Sequence, residues 1–375
     1  MVRCGLNLFF RKIIFSDPSV LASKGPLLLA CNHPNSFLDA LLLGAYFKAP
    51  VHFLARGDAF KKVLPNKLLR ALNAIPIYRL SEGKEHLDMN AETFATCMGV
   101  LKKGGIVLIF VEGLCRNEWK LRPMKKGGAR IALHTWLHDA MKANFRVMPV
   151  GLNYSSFTSL CKNVLIHFGK PIFFNDLKRA DTNAEKMVLL NALVYSELEK
   201  ATLNSYGDTS SIPFSISNLS ETKGNNAALI GQLQQLHANY STHGKSNNHH
   251  NLLDDKRSII GGRALQVHLF RLVFLALPAL VAFALHAPFY WPIRALIRSK
   301  TKGTVFYHSA LFSICVFTYP LYLLLIAITV AAWFNQVYLL ALVVVLPAGA
   351  YSFLLWHSSL IRCINTTRIS KTDML

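Results

Sequence analysis

Two apolar stretches near the end of the chain restrict its folding more than any other feature. Residues 309–334 (SALFSICVFTYPLYLLLIAITVAAWF) and 337–356 (VYLLALVVVLPAGAYSFLLW) carry no charged side chain, and each is long enough to cross the hydrocarbon of a bilayer. Asn335 and Gln336 form the polar turn between them, so the pair reads as a transmembrane hairpin. The setting agrees, because residues 267–375 contain 8 Lys and Arg but a single acid, Asp373, whereas a water-soluble domain needs a face of mixed charge. A third stretch, 272–285 within 267–290, is shorter. Arg271 precedes it, Arg294, Arg298, Lys300 and Lys302 follow it, and Arg362, Arg368 and Lys371 follow the hairpin. An interfacial or re-entrant 267–290 keeps all these cations on one side of the membrane; a full span would carry one cluster across.

The first 200 residues are different in kind, with 28 basic and 15 acidic side chains. Short apolar runs at 26–30, 51–55, 106–111, 147–152 and 165–168, bounded by Gly, Pro or Asn, predict strands. Helical patterns lie between them at 36–47, 58–72, 84–102 and 127–143, so the fold class is α/β. Residues 5–15 (GLNLFFRKIIF) lack the marks of a cleavable signal and read as an amphipathic surface segment or as a first helix packed on the domain. Residues 204–256 turn to Asn, Ser, Gln and His; the His249–His250 pair has no organised partners for a metal, and the stretch reads as a solvated insertion. The expected division is therefore 1–203 for the α/β domain, 204–256 for the insertion or linker, and 257–375 for the membrane region.

The chain's net charge of +21 comes with bilayer-length segments and no recognition motif for nucleic acid, which favours anionic membrane lipids as the partner. Seven scattered cysteines with no CxxC argue against a disulfide framework or a zinc knuckle and favour a reducing compartment for the soluble part.

Four short blocks could carry chemistry. Asn32-His33-Pro34-Asn35-Ser36-Phe37-Leu38-Asp39 follows a strand and opens a helix, so His33 sits at a strand end with Asp39 on the first helical turn. Such an Asp can fix the imidazole tautomer and leave the other nitrogen to take a proton from a hydroxyl. Ile75-Pro76-Ile77-Tyr78-Arg79 delivers Arg79 to another strand end as a phosphate ligand. Phe110-Val111-Glu112-Gly113-Leu114-Cys115-Arg116 offers a hydroxyl-binding carboxylate in Glu112, a tight turn at Gly113 and a guanidinium in Arg116, with Lys120, Arg122, Lys125 and Lys126 downstream. Val147-Met148-Pro149-Val150-Gly151 reads as a buried strand in which Pro149 and Gly151 line a pocket wall.

In order and spacing, the four blocks together resemble the glycerophospholipid acyltransferase family, over roughly residues 5–200. The C-terminal extension resembles that of a bacterial subgroup. The resemblance implies a glycerolipid acyltransferase-like αβ domain followed by a helical membrane region. It further implies His33 as catalytic base with Asp39 orienting it, Glu112 and Gly113 binding the glycerol moiety, and Arg79 and Arg116, helped by Lys120, holding phosphate. Two departures stand out: five residues separate His33 from Asp39 where the common form has four, and EGLCR replaces EGTR.

The reaction so implied is attack of an acceptor hydroxyl on an acyl thioester, either acyl-CoA or acyl-carrier protein (acyl-ACP), with no metal or organic cofactor. Lysophosphatidate is the expected acceptor, and glycerol-3-phosphate or another lysolipid is the alternative. A catalytically inactive lipid-binding or scaffold protein is the reading from a different class. The expected location is a bacterial inner membrane, with the catalytic domain on the cytoplasmic face.

Overall fold

The computed structural model describes residues 2–78, 89–157, 161–203, 231, 262–333, 345–357 and 359–360. Arg79, His249, His250, Asn335, Gln336 and the basic residues beyond 360 lie outside them, as does all of 204–256 except Gly231. The first 203 residues form, in order, α1 (Val2–Phe9), β1 (Phe10–Phe15), β2 (Leu27–Cys31), α2 (Phe37–Tyr46), β3 (Val51–Arg56), α3 (Val63–Ala71), β4 (Ala74–Ile77), α4 (Met89–Lys102), β5 (Ile106–Phe110), α5 (Gly127–Trp136), α6 (Asp139–Lys142), β6 (Arg146–Tyr154), β7 (Lys162–Phe168), β8 (Ile172–Phe173) and α7 (Asn183–Ala201). The 5–15 segment is thus helical only as far as Phe9 and then continues as β1, in which Phe10 is buried.

The strands form one mixed sheet in the order β1-β7-β6-β2-β5-β3-β4, with β8 also paired to β6. β2 runs parallel to both β5 and β6, and β3 parallel to β5 and β4, while β7 and β8 run antiparallel to β6. Every residue of β2 is buried, as expected of a central parallel strand covered on both faces. One face packs Leu28, Val107, Ile109 and Val147 against Leu101, Ile131, Trp136, Leu190, Val194 and Leu198 from α4, α5 and α7. α7 opens with a reciprocal cap in which the Glu185 N–H donates to Thr182 Oγ1 and the Thr182 N–H donates to Glu185 Oε2. It then buries Leu190, Val194, Leu198 and Ala201, a single stripe at helical spacing.

Two compact units divide the chain: Ile13–Ser155 with Val164–Tyr240, and Met1–Lys12 with Ser156–Asn163 and Ser241–Leu375. The parallel strands belong to the first. Their carboxyl ends point the same way, which is where sheets of this kind hold their ligands.

In the second unit, α8 (Gly262–Phe274) and α9 (Ala276–Thr301) meet at a break on Leu275, and α10 (Tyr307–Trp333) follows. The stretch 267–290 is therefore two helices rather than one segment. α9 and α10, of 26 and 27 residues, are both long and apolar enough to cross a membrane, and only 11% of each apolar window is buried. At a rise of about 1.5 Å per residue each exceeds the roughly 30 Å of bilayer hydrocarbon. Of the stretch 337–356, residues 345–356 are described, and they are helical. α9 and α10 are joined by a polar contact, His286 Nε2 to Tyr319 Oη at 3.0 Å. α1 lies on α10 through Gly5, whose missing Cβ would stand 2.7 Å from Val316, and through the edge-on rings of Phe9 and Phe312.

Candidate active site

The site begins where β2 ends. After Cys31, the Asn32 side chain extends the sheet by one rung: its Nδ2 donates to Leu152 O at 3.1 Å, and its Oδ1 accepts from Leu152 N at 2.7 Å. The next residue, His33, is thereby fixed at the carboxyl end of the sheet. Pro34 turns the chain, and Ser36 takes φ 55°, a backbone conformation that L side chains rarely adopt. After that turn α2 starts at Phe37, with Asp39 in its first turn and facing His33.

Asp39 is fully buried and accepts three hydrogen bonds. His33 Nδ1 lies 2.9 Å from Oδ2, the Asn35 N–H donates to Oδ2 at 2.8 Å, and the Tyr154 hydroxyl donates to Oδ1 at 2.6 Å. A carboxylate can only accept here, so His33 carries its proton on Nδ1 and leaves Nε2 as the basic nitrogen. The imidazole also stacks on Phe110, centroid to centroid 3.7 Å with 13° between planes, which fixes its rotation. Its side chain is 14% exposed, enough for a substrate atom to reach it.

The segment after β5 closes over this dyad. Val111 N donates to Cys31 O at 3.0 Å, Arg116 N to His33 O at 3.2 Å, and Lys125 N to Val111 O at 2.7 Å. Gly113 turns at φ 69°, with Lys125 Cγ only 2.9 Å from where a Cβ would stand. The Cys115 thiol accepts from Ser36 N, and the Trp119 indole donates to Tyr154 O at 2.7 Å. Glu112 is buried, and burial pushes its carboxyl up to about 7, against the pull of the Arg122 and His33 backbone N–H groups and the Arg122 charge.

The cations differ in their surroundings. Arg116 is 58% exposed on its side chain and lies 3.6 Å from Glu118, and Lys120 is exposed. Arg122 is half-buried, its N–H donates to Glu112 Oε1 at 3.3 Å, and its buried Nη1 has no hydrogen-bond partner. An inward guanidinium nitrogen with no acceptor is costly unless an anion arrives.

His33, Asp39, Glu112, Gly113 and Arg116 are thus gathered at one end of the sheet. Arg79 lies outside the described residues, although β4 and Tyr78 lead to the same end. Pro149 is buried within β6, its carbonyl accepting from Gly169 N. Gly151, expected at a pocket wall, stands against α7: a Cβ there would stand 2.1 Å from Ala201 O, so this glycine permits helix and sheet to approach. Tyr154 and the inward Arg122 are the residues that sequence reasoning did not assign; a polar residue at the end of the strand beside β2 was the only cue for Tyr154.

Residues 12–153 match the family model described as Acyltransferase. Over this segment the chain is similar to the acyltransferase family. The domain holds both members of the dyad and Glu112, while Tyr154 is the first residue past the matched range. A curated relative, the chloroplastic 1-acyl-sn-glycerol-3-phosphate acyltransferase BAT2 of Brassica napus, is 26% identical over 175 residues. The alignment covers 44% of this chain and 46% of that protein, so the chain spans about half the length of the curated relative it matches. Among solved structures, the 1-acyl-sn-glycerophosphate (LPA) acyltransferase PlsC of Thermotoga maritima matches with a TM-score of 0.38 and 19% identity, over 53% of this chain and 75% of that one.

Proposed function

We propose that the protein is a membrane-bound O-acyltransferase that moves a fatty acyl chain from an acyl thioester to a hydroxyl of lysophosphatidate. The observation that carries this reading is the His33–Asp39 contact of 2.9 Å, with Nε2 left as the accessible base. The acceptor hydroxyl gives its proton to His33 Nε2 as its oxygen attacks the thioester carbonyl, and Asp39 offsets the imidazolium charge that forms. Collapse of the tetrahedral intermediate expels the thiolate, which takes the proton back, so His33 ends as it began.

Glu112, near its midpoint at neutral pH, can donate to or accept from the glycerol hydroxyls. Arg122, with Arg116, Lys120 and Arg79, supplies the positive charge for the phosphate. The acyl donor is a CoA or carrier-protein thioester. The apolar helices and the basic surface suit a cytoplasmic-face enzyme of an inner membrane rich in anionic lipid. Glycerol-3-phosphate is the alternative acceptor, since it presents the same phosphate and hydroxyls without the acyl chain.

The test is acyl transfer by purified membranes containing the protein, with labelled acyl-CoA or acyl-ACP, comparing lysophosphatidate, glycerol-3-phosphate and uncharged acceptors alongside His33→Ala. Turnover with a phosphorylated acceptor that falls at least about 10²–10⁴-fold in the variant supports the reading. Absence of His33-dependent transfer to every acceptor overturns it in favour of a lipid-binding or scaffold role.

A further inference from the structure

We propose that Tyr154 is a positioning residue of the site, acting through Asp39: its hydroxyl locks the free oxygen of the carboxylate so that the other oxygen is held toward His33. The inference rests on the acyltransferase reading for its kinetic consequence, although the coupling itself is a property of these side chains. Asp39 presents two oxygens with different duties. Oδ2 faces His33 Nδ1 and the Asn35 N–H, while Oδ1 is held by Tyr154 at 2.6 Å. Without the phenol, one oxygen of a fully buried carboxylate loses this partner, so the plane of the group is fixed from the His33 and Asn35 side alone and its charge falls more heavily on the imidazole.

The strand geometry makes the contact possible. β2 and β6 run parallel with Cys31 opposite Val150, and the Asn32 amide continues that pairing to Leu152. Side chains alternate along β6, so Gly151 and Asn153 face α7, where Asn153 Nδ2 donates to Ala201 O at 3.0 Å, and Tyr154 falls on the opposite face, toward α2. Burial and the neighbouring Asp39 charge push the Tyr154 phenol up, so it remains a protonated donor throughout the working pH range. Tyr154 also accepts the Trp119 indole N–H on its backbone carbonyl, which ties the segment after β5 to the same residue.

The experiment uses the full chain in lipid nanodiscs and two substitutions of opposite effect. Tyr154→Phe removes the hydroxyl and keeps the ring; site-specific 3,5-difluorotyrosine at position 154 makes the hydroxyl a stronger donor. The first readout is the pH titration of the His33 ¹³Cε1 resonance, assigned by its loss in His33→Gln. The charged groups around the dyad are Asp39, Glu112 and Arg122, with the thiols of Cys31 and Cys115 adjacent, and all are unchanged in both variants. A carboxylate with one donor fewer holds an imidazolium more tightly, so the phenylalanine variant raises the His33 midpoint by roughly half to one pH unit and the fluorinated residue lowers it.

The second readout is turnover. Tyr154→Phe lowers kcat roughly 10–100-fold with KM for the acceptor within about twofold, and the acid limb of the pH–rate profile moves up with the titration. A His33 midpoint that stays put in both variants overturns the inference whatever the transfer assay gives, and so does an unchanged kcat in an active enzyme. Should the wild-type protein transfer no acyl group while the midpoints move in opposite directions, the coupling stands and the acyltransferase reading is what fails.

Discussion

The His33–Asp39 dyad and the segment around Glu112 and Arg122 lie side by side at one end of the sheet, yet they are built in opposite ways. Around Asp39 the carboxylate is buried with three donors, and the histidine is stacked and bonded. Around Glu112 a buried carboxyl has been pushed up to about 7, an inward guanidinium nitrogen has no acceptor, and the remaining cations spread into solvent. Under the proposed function the difference separates two tasks. A group that handles a proton at each turnover gains from complete satisfaction, since nothing need reorganise during the reaction. A group that must grip a ligand gains from being left unsatisfied until the ligand comes.

The contrast breaks most readily at the dyad. Asp39→Asn keeps the shape but can donate to His33 and stabilise the wrong tautomer; kcat falls by about 10²–10⁴-fold with little change in KM, measured by steady-state transfer at saturating acceptor. At the acceptor segment the effect moves to binding. Arg122→Ala raises KM for a phosphorylated acceptor by roughly 10–100-fold and spares uncharged acceptors, as expected for one charge-assisted contact in a half-buried setting. Arg116→Ala costs about threefold or less, because its exposed charge is screened by water and salt. Equal effects from the two arginines would erase the distinction between them.

The smallest effect is on stability. The folded pKa of Glu112 lies above its unfolded value, so the folded state binds the extra proton between about 4.5 and 7, and stability falls as pH rises through that window. Glu112→Gln removes the penalty while keeping an acceptor for the Arg122 N–H. It therefore melts above wild type at pH 8, by about 1–3 kcal/mol of stability, and the gain shrinks toward pH 4.5, as read by thermal unfolding in detergent.

Much of this was legible in the sequence because local signals sufficed. The runs that became β2, β3, β5, β6 and β7 were apolar and bounded by turn residues, and α2 followed directly from the block that holds His33. Spacing also placed His33 and Asp39 together, since both lie within one strand-to-helix turn. Tyr154 was not legible, because its bond to Asp39 spans 115 residues and depends on β6 lying beside β2, which no local pattern encodes. The contact of Gly151 with α7 was hidden for a related reason: periodicity gives alternate faces of a strand but does not say which helix covers each. The rank of Arg116 and Arg122 depended on the path of a loop without periodic structure. The segment FRKIIF failed differently, since a run of six residues satisfies the helical and the extended pattern equally well.

The positive φ of Ser36 reaches beyond this chain. With one residue in an uncommon conformation, the imidazole and the carboxylate meet at hydrogen-bond distance across five intervening residues. A motif search keyed to four intervening letters would pass over the protein, while one keyed to the separation of two atoms would find it. Families delimited by letter counts can therefore divide enzymes that share a reacting geometry, and the place to look for their missing members is among chains with one residue too many before the helix.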